Sequence, residues 1–316
     1  MLSPIGCPAA CTTCATVSGG TCTLWCSQYG WCGDTAAHKY TDCRGCSAAK
    51  RRSESLRSDS QRAKISALIK AVHDNGGKFV WAIGGWSDLT KTIQESQIDA
   101  FVAECVKLLK LEGDGIDFDW EHLSDHSSIR AQQLDTLGKT LVALRKALDE
   151  EGLQDKQIGY TARLGTFWNS ASIPSGYTTF NTDGEGIEIA KAVEGMGSKL
   201  NDVLDFANVM MYDVPPSYYG APGGFTLDTY KNVFDAWANY VDYDKIVMGF
   251  EPGGQAASGV WEGMEVDKQV VDYIQEKGYA GIMFWAINQP VWPPSTEITG
   301  DNAQEIAEYA AGVFKT

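Results

Sequence analysis

The chain has 316 residues, which is enough for more than one domain on the usual scale of about 100–200 residues per domain. Its formal net charge of −15 argues against a nucleic-acid partner, whose phosphates would be repelled, and suits a neutral polymer. No apolar run reaches the roughly 20 residues that a membrane-spanning helix needs, so we expect no membrane segment.

Cysteines are concentrated at the amino terminus, where eight of the nine fall within residues 1–46. They are Cys7, Cys11, Cys14, Cys22, Cys26, Cys32, Cys43 and Cys46. So short a segment cannot bury enough apolar surface to fold unaided, and the pattern predicts a disulfide-rich module. The alternative is a zinc site, because Cys11 and Cys14 have ligand spacing, but no second such pair stands at a zinc-ribbon distance.

A disulfide framework places the protein in an oxidising compartment, so we expect it to be secreted, extracellular or in the cell wall. Residues 1–6 are too short and too polar for a secretion signal. We therefore expect such a signal to have been removed or to lie outside this sequence. Residues 47–62, which follow, are basic and poor in apolar side chains, and they predict a solvated linker.

From residue 63 onward, buried strands alternate with amphipathic helices. Strands are predicted at 78–83, 115–120, 157–163, 204–211, 245–250 and 279–286. Apolar side chains at helical spacing predict helices over 65–72, ended by Gly76, and over 98–109, where Cys105 would be a core residue. Further helices are predicted at 129–149, 187–200, 228–241, 265–277 and 302–313. Repeated strand–helix units predict an α/β fold with a parallel sheet, closed into a barrel or doubly wound.

The sequence DGIDFDWE at residues 114–121 carries the clearest chemical signal. Residues two apart on a strand face the same way, so Asp117, Asp119 and Glu121 would share one face while apolar residues pack on the other. Crowded carboxylates repel one another, which raises some of their pKa values and keeps an acid protonated near neutral pH. Catalysis explains this pattern better than the alternatives, a solvated acidic strand end or a cation site.

The DxxDxDxE pattern of residues 114–121 resembles the signature of glycoside hydrolase family 18, the chitinases and endo-β-N-acetylglucosaminidases. Three further segments resemble that family in order and spacing: WAIGGWS at 81–87, MMYD at 210–213 and GIMFW at 281–285. The resemblance covers about residues 63–314, and the hydrolase domain is expected to span residues 63–316. It implies a TIM (β/α)8-type barrel with its site at the carboxyl ends of the strands.

The resemblance also implies retaining hydrolysis in which the substrate's own N-acetyl group is the nucleophile. Glu121 would protonate the glycosidic oxygen, Asp119 would orient the acetamido group, and Asp117 would hold or share a proton behind it. Tyr212 would hydrogen-bond the acetamido oxygen. No metal or organic cofactor is implied, because the acetamido group supplies the nucleophile, and His122 and His126 are interpreted as loop residues.

Three residues are expected to shape the sugar pocket. The resemblance implies that Met210 and Asp213 line it and that Trp285 stacks under the sugar, whereas the bland alternative for Met210 and Trp285 is ordinary core packing. The segment between the seventh and eighth strands is too short for the insertion that walls the cleft of some family members. We therefore expect an open groove and endo-type cleavage.

The sequence CSQYGWCG at residues 26–33 is similar to the hevein-type chitin-binding module. That family presents a serine and three aromatic rings to the sugar, and flat rings offer an apolar face at low entropic cost. By position these residues would be Ser27, Tyr29, Trp31 and Tyr40. Where the family has adjacent cysteines, this chain has Trp25 before Cys26, so the disulfide pairing stays open.

Two features depart from the hydrolase family. Ala82 replaces a serine that helps to hold the outermost site aspartate, which puts proton sharing between Asp117 and Asp119 in doubt. Nothing before residues 78–83 reads as the first two barrel strands, and six strands leave exposed edges. Either the sequence is incomplete, or the barrel is open, patched by the amino-terminal segment, or completed by a partner chain.

The sequence therefore predicts a chitinase that acts on chitin or chitooligosaccharides and carries its own binding module. The second hypothesis is a catalytically weak or inactive chitin-binding lectin or structural protein. Glu121 favours the enzyme, whereas Ala82 and the missing strands favour the lectin. A third hypothesis is an endo-β-N-acetylglucosaminidase acting on glycoproteins, and the amino-terminal module argues against it.

Overall fold

The structure is a computed structural model, and the residues that it describes form two compact units, Met1–Gly77 and Lys78–Thr316. The described residues are 25–26, 32–33, 59–85, 93–121, 127–169, 173, 177, 183–215, 218, 224–257, 259–286 and 299–314. None of the helices within these ranges is long and apolar enough to cross a membrane.

The described residues of the first unit form a short hairpin and one helix. Strand β1 (Trp25–Cys26) pairs antiparallel with β2 (Cys32–Gly33), and Cys26 lies opposite Cys32. Helix α1 (Asp59–Asp74) begins within the segment predicted as a linker. It ends at the predicted place, because Gly76 adopts a left-handed φ of 75° and its N–H donates to the His73 carbonyl at 2.9 Å.

Six parallel strands form the sheet of the second unit, and neighbours in sequence are hydrogen-bonded neighbours in the sheet. They are β3 (Val80–Gly84), β4 (Gly115–Asp119), β5 (Gln157–Arg163), β6 (Phe206–Met210), β7 (Ile246–Phe250) and β8 (Gly281–Phe284). All six predicted strands are confirmed, and with them the α/β class with a parallel sheet. Within the described residues β3 and β8 are the outer strands. That a barrel lacks its first two strands stays a prediction.

The described residues of the second unit form seven α-helices. They are α2 (Ile98–Leu111), α3 (Ser127–Glu150), α4 (Glu185–Gly195), α5 (Leu200–Val203), α6 (Leu227–Trp237), α7 (Met264–Lys277) and α8 (Thr299–Val313). The single helix predicted at 187–200 is wrong in its second half, because the chain turns between α4 and α5. Gly197 adopts a left-handed φ of 80° there and donates its N–H to the Glu194 carbonyl at 2.9 Å.

The core lies between one face of the sheet and the helices. Leucines of α3 recur one helical turn apart and are almost fully buried: Leu137, Leu141, Leu144 and Leu148. They pack in one cluster with Ile116 and Phe118 of β4 and with Cys105 of α2, which confirms Cys105 as a core residue. The opposite face of the sheet mixes polar side chains, such as that of Asp117, with apolar ones, such as that of Met283.

Candidate active site

Strand β4 sorts its side chains as the alternation predicts. Ile116 and Phe118 are fully buried against the helices, and Trp120 is 6% exposed. Asp117 and Asp119 occupy the other face and are only partly covered. The strand continues directly to Glu121, whose side chain is 12% exposed. The structure therefore brings the three predicted carboxyl groups to one face at the carboxyl end of the strand.

Asp117 is held by two residues of the neighbouring strands. The Thr161 hydroxyl donates to its Oδ2 at 2.7 Å, and the Asn208 amide reaches the same oxygen at 3.5 Å. Asn208 also donates to the Thr161 hydroxyl at 2.9 Å. Burial raises the pKa of Asp117 to about 6, and the hydrogen bonds from Thr161 and Asn208 oppose that rise. Asp117 is therefore partly protonated in mildly acidic solution.

Asp119 is the more strongly perturbed carboxyl group. Its pKa is raised to about 7, chiefly by burial and then by the negative charges of Glu121 and Asp117, while the positive charge of Arg163 opposes the rise. Its Oδ1 and the Oδ1 of Asp117 are buried and accept no hydrogen bond from the part of the chain that the structure describes. A partner in the substrate, or a proton, would satisfy these oxygens.

Glu121 forms an ion pair with Arg163, the last residue of β5. The distance from the guanidinium Nη2 to the carboxylate Oε2 is 3.1 Å, and the Arg163 side chain is 15% exposed. The resemblance to known hydrolases gave no reason to expect a cation here. A positive charge beside a carboxylate stabilises its ionised form.

Tyr212 and Met210 are both buried at the end of β6, with 7% and 5% of their surface exposed. Burial raises the pKa of the Tyr212 hydroxyl well above its usual value, and the negative charges of Asp119 and Glu121 act in the same direction. Tyr212 is therefore a neutral hydroxyl group close to the predicted catalytic carboxyls. The structure brings these residues together as predicted.

A glycine makes room for the tyrosine. Gly249 lies beside Met210 in the register of β6 and β7. A Cβ at this position would lie 2.4 Å from the Val209 carbonyl oxygen, 2.6 Å from Cε of Met283 and 3.0 Å from the Tyr212 ring. Such distances are shorter than van der Waals contacts, so only glycine fits here without a shift of the backbone.

Asp213 holds a loop. Its φ of 57° is left-handed, and its Oδ1 accepts the Ala257 N–H at 2.7 Å. Its own N–H donates to Oε1 of Gln255 at 3.1 Å. The buried Glu251 accepts the Ala256 N–H at 2.9 Å through its Oε1. These contacts tie the loop after β7 to the end of β6, next to Tyr212.

Trp285 lies one residue beyond β8, at the same edge of the sheet, and 48% of its surface is exposed. Its backbone N–H donates to the Phe250 carbonyl at 3.0 Å, which fixes the main chain. A half-exposed indole at this edge does not suit the core interpretation that was the alternative for this residue. Met210, by contrast, is as buried as a core side chain.

Sequence reasoning missed Thr161, Arg163, Asn208 and Glu251. The alternation rule that found the β4 carboxylates would have placed Thr161 and Arg163 on one face of β5, and Asn208 two residues before Met210 on β6. What hid them was the interpretation of those strands as uniformly buried. Glu251 follows β7 directly and carries no comparable signal.

Several predicted residues lie outside the described part of the chain. These are the side chains of Ser27, Tyr29, Trp31 and Tyr40, the end of the 81–87 segment, and His122 and His126. Within the described ranges no group of His, Cys, Asp and Glu side chains could hold a metal ion.

Comparison with known proteins extends this picture. Endochitinase 1 of Metarhizium robertsii is 28% identical over 204 residues, which are 63% of this chain and 42% of that protein. The chain thus spans less than half the length of this curated relative. The class V chitinase from Nicotiana tobaccum shares the fold, with a TM-score of 0.54 and 14% identity over 82% of this chain and 87% of that one.

A mutant of the tobacco enzyme in complex with NAG4 also shares the fold. Its TM-score is 0.51 at 14% identity, over 77% of this chain and 82% of that one. At such identities the likeness concerns the fold alone. The family model described as "Glycosyl hydrolases family 18" matches residues 38–264, more than half of the chain. The chain belongs to glycosyl hydrolase family 18.

Proposed function

We propose that this chain hydrolyses chitin, the β-1,4-linked polymer of N-acetylglucosamine, with retention of configuration and assistance from the substrate. The observation that carries the proposal is the convergence of Asp117, Asp119 and Glu121, in which the pKa values of the two aspartates are raised to about 6 and about 7. Carboxyl groups with such pKa values can gain and lose protons near neutral pH, as acid–base catalysis requires. The NAG4 complex of the tobacco enzyme supports an N-acetylglucosamine oligomer as ligand.

Glu121 donates a proton to the glycosidic oxygen as the bond to the anomeric carbon breaks. The carbonyl oxygen of the substrate's acetamido group attacks that carbon from the opposite face and forms an oxazolinium ion. Water then opens this ring as Glu121 takes a proton back, so that the sugar leaves with its original configuration. A positioned acid of this kind contributes roughly 10²–10⁴-fold in rate.

Asp119 orients the acetamido N–H and offsets the positive charge of the oxazolinium ion. Its buried Oδ1, which accepts no hydrogen bond from the described residues, suits that N–H. Asp117 lies behind it and shares the proton that the two aspartates retain in mildly acidic solution. Thr161, hydrogen-bonded to Asp117 at 2.7 Å, keeps that carboxyl group in position.

Tyr212 donates a hydrogen bond to the acetamido oxygen, a role that suits a buried hydroxyl group whose pKa is raised by burial and by nearby carboxylates. Met210 fills the floor of the pocket, Asp213 shapes it by holding the loop after β7, and Trp285 stacks under the sugar. The exposed face of Trp285 is consistent with this stacking.

The groove is open and cleavage is of the endo type, because only residues 251–280 lie between β7 and β8. The amino-terminal module binds chitin through Ser27, Tyr29, Trp31 and Tyr40, and the protein acts outside the cell or in the cell wall. An excess of chain-end products in the early digest of a long polymer would argue against endo cleavage.

A catalytically weak or inactive chitin-binding lectin is the second candidate, and two observations favour it. Ala82 lies in register beside Asp117 and supplies no hydroxyl group. Arg163 neutralises Glu121 across 3.1 Å, which opposes its use as an acid. An endo-β-N-acetylglucosaminidase is less well supported, since no observation in the described residues points to a glycoprotein substrate.

Hydrolysis of a soluble chitin oligosaccharide by the full chain, compared with Glu121→Gln, tests the proposal. We expect turnover with the β-anomer as the first product, and a loss of roughly 10²–10⁴-fold in the variant while binding is retained. The exposed Glu188→Gln is the matched control. Binding without turnover in the unmodified chain would establish the lectin instead.

A further inference from the structure

Arg163 has a position that the hydrolytic scheme does not explain. Its guanidinium lies 3.1 Å from the Glu121 carboxylate, and both side chains are largely buried, at 15% and 12% exposed. A partly desolvated ion pair is screened less by salt and water than a surface pair. The contact therefore favours the form of Glu121 that has lost its proton, whereas a general acid must hold one.

Among the described residues, the acidic groups near Glu121 act in the opposite direction. Asp119 and Asp117 approach from its own strand, and Glu121 in turn raises the pKa of Asp119. The charges of Asp119, Glu121 and Glu251 also act on the Tyr212 hydroxyl beyond the end of β6 and raise its pKa. When they are ionised, Asp119 and Asp117 carry the same sign of charge as Glu121 and therefore favour its protonated form. Arg163, at the end of β5, has the opposite charge and favours the ionised form of Glu121.

We propose that Arg163 is a tuning residue that holds Glu121 ionised and so confines hydrolysis to a lower pH than the carboxyl cluster alone would allow. The proposal rests on the proposed function of Glu121 as the proton donor. In each turnover Glu121 takes its proton from solvent water and passes it to the glycosidic oxygen. Arg163 determines how acidic the solution must be for that proton to be present.

The pH dependence of kcat and kcat/KM tests this role in Arg163→Met, Arg163→Lys and the full unmodified chain. Without the positive charge the alkaline limb moves up by about 1 pH unit or more, so that turnover is roughly ten-fold higher at a pH well above the original limb. The acidic limb moves in the same direction, because Arg163 also lowers the pKa of Asp119. Arg163→Lys keeps the charge and stays near the original profile.

A merely structural role would lower kcat at every pH and leave both limbs where they are, which would overturn the proposal. Lys191→Met removes one positive charge from an exposed pair with Glu188 and serves as the control for overall charge. If Arg163→Met does not fold, Arg163→Gln provides a second neutral side chain of shorter length.

Nuclear magnetic resonance of the chain with ¹³C-labelled glutamate carboxyls gives a readout that needs no activity. The Glu121 signal is assigned by its absence in Glu121→Gln, and we expect its titration midpoint to rise in Arg163→Met. An unchanged midpoint overturns the proposal. A raised midpoint in a chain that hydrolyses nothing supports the role of Arg163 and refutes the proposed function, so the two failures are distinct.

Discussion

Two carboxyl groups on opposite faces of the same sheet have pKa values raised to about 7, the partly covered Asp119 on the open face and the buried Glu185 on the helix-covered face. Burial is the largest cause for both. The Tyr160 hydroxyl donates to Oε1 of Glu185 at 3.2 Å, and the positive charge of Arg130 lies 3.6 Å from its Oε2. Asp119 instead faces the like charges of Glu121 and Asp117. A raised pKa therefore indicates burial in both cases. The charges of the neighbouring groups are what distinguish a structural carboxyl group, which has a cation and a donor beside it, from a reactive one, which has other carboxylates beside it.

Neutralising Asp119 and Glu185 in turn should show most clearly which of the two carboxyl groups takes part in catalysis. Asp119→Asn is expected to lower kcat on a chitin oligosaccharide by about 10²-fold, because charge stabilisation of the oxazolinium ion is lost. Glu185→Gln is expected to leave kcat near that of the unmodified chain, since Glu185 lies on the other face. Equal losses of kcat in two well-folded variants would contradict the distinction.

The pH dependence of stability should identify the structural carboxyl. The folded state raises the pKa of Glu185 from 4.5 to about 7, so folded Glu185 binds its proton more tightly than the unfolded chain does. Its contribution to the free energy of unfolding is complete below pH 4.5 and is lost as the pH rises through about 7. The unmodified chain loses this contribution as the pH rises, whereas Glu185→Gln has no carboxyl group to titrate. Between pH 4.5 and about 7 the free energy of unfolding should therefore fall on the order of 2 kcal/mol less in Glu185→Gln than in the unmodified chain.

Urea unfolding at several pH values, followed by tryptophan fluorescence, measures that slope. Glu188→Gln, on the exposed side of the same helix, is the matched control and should keep the slope of the unmodified chain. Parallel slopes for Glu185→Gln and the unmodified chain would show that Glu185 does not carry this proton.

The smallest expected effect concerns Ala82, which lies in register beside Asp117. Side chains in register on parallel strands share a face, so the hydroxyl of Ala82→Ser should reach the buried Oδ1 of Asp117. One hydrogen bond of about 1 kcal/mol should lower the pKa of Asp117 and raise turnover roughly five-fold. Kinetics across the acidic limb measure this, with the exposed Ala103→Ser as control. No displacement of that limb would mean that Asp117 needs no further donor.

Much of this molecule follows from local patterns in the sequence. Alternation within β4 predicted the buried faces of Ile116 and Phe118 and the shared face of Asp117 and Asp119, because strand geometry fixes side-chain direction residue by residue. The break between α4 and α5 was missed, because a glycine within an apolar helical pattern does not by itself end a helix.

The contacts between distant segments could not be predicted from the sequence. Arg163 meets Glu121 only because β4 and β5 pair with Asp119 beside Thr161, a register that no local pattern specifies. Asp213 was predicted to line the sugar pocket, yet its carboxylate accepts the N–H of Ala257, 44 residues away. The pocket role of Asp213 and the sugar-binding residues of the amino-terminal module stay predictions.

Gly249 carries a consequence for how this protein can diverge. Every other amino acid brings a Cβ into space already occupied by the Val209 carbonyl oxygen and the end of Met283. A change at Glu121 would leave a folded binding protein on which selection could still act. A substitution at position 249 would disturb both the pairing of β6 with β7 and the packing of Tyr212. We therefore expect selection to remove substitutions at this position.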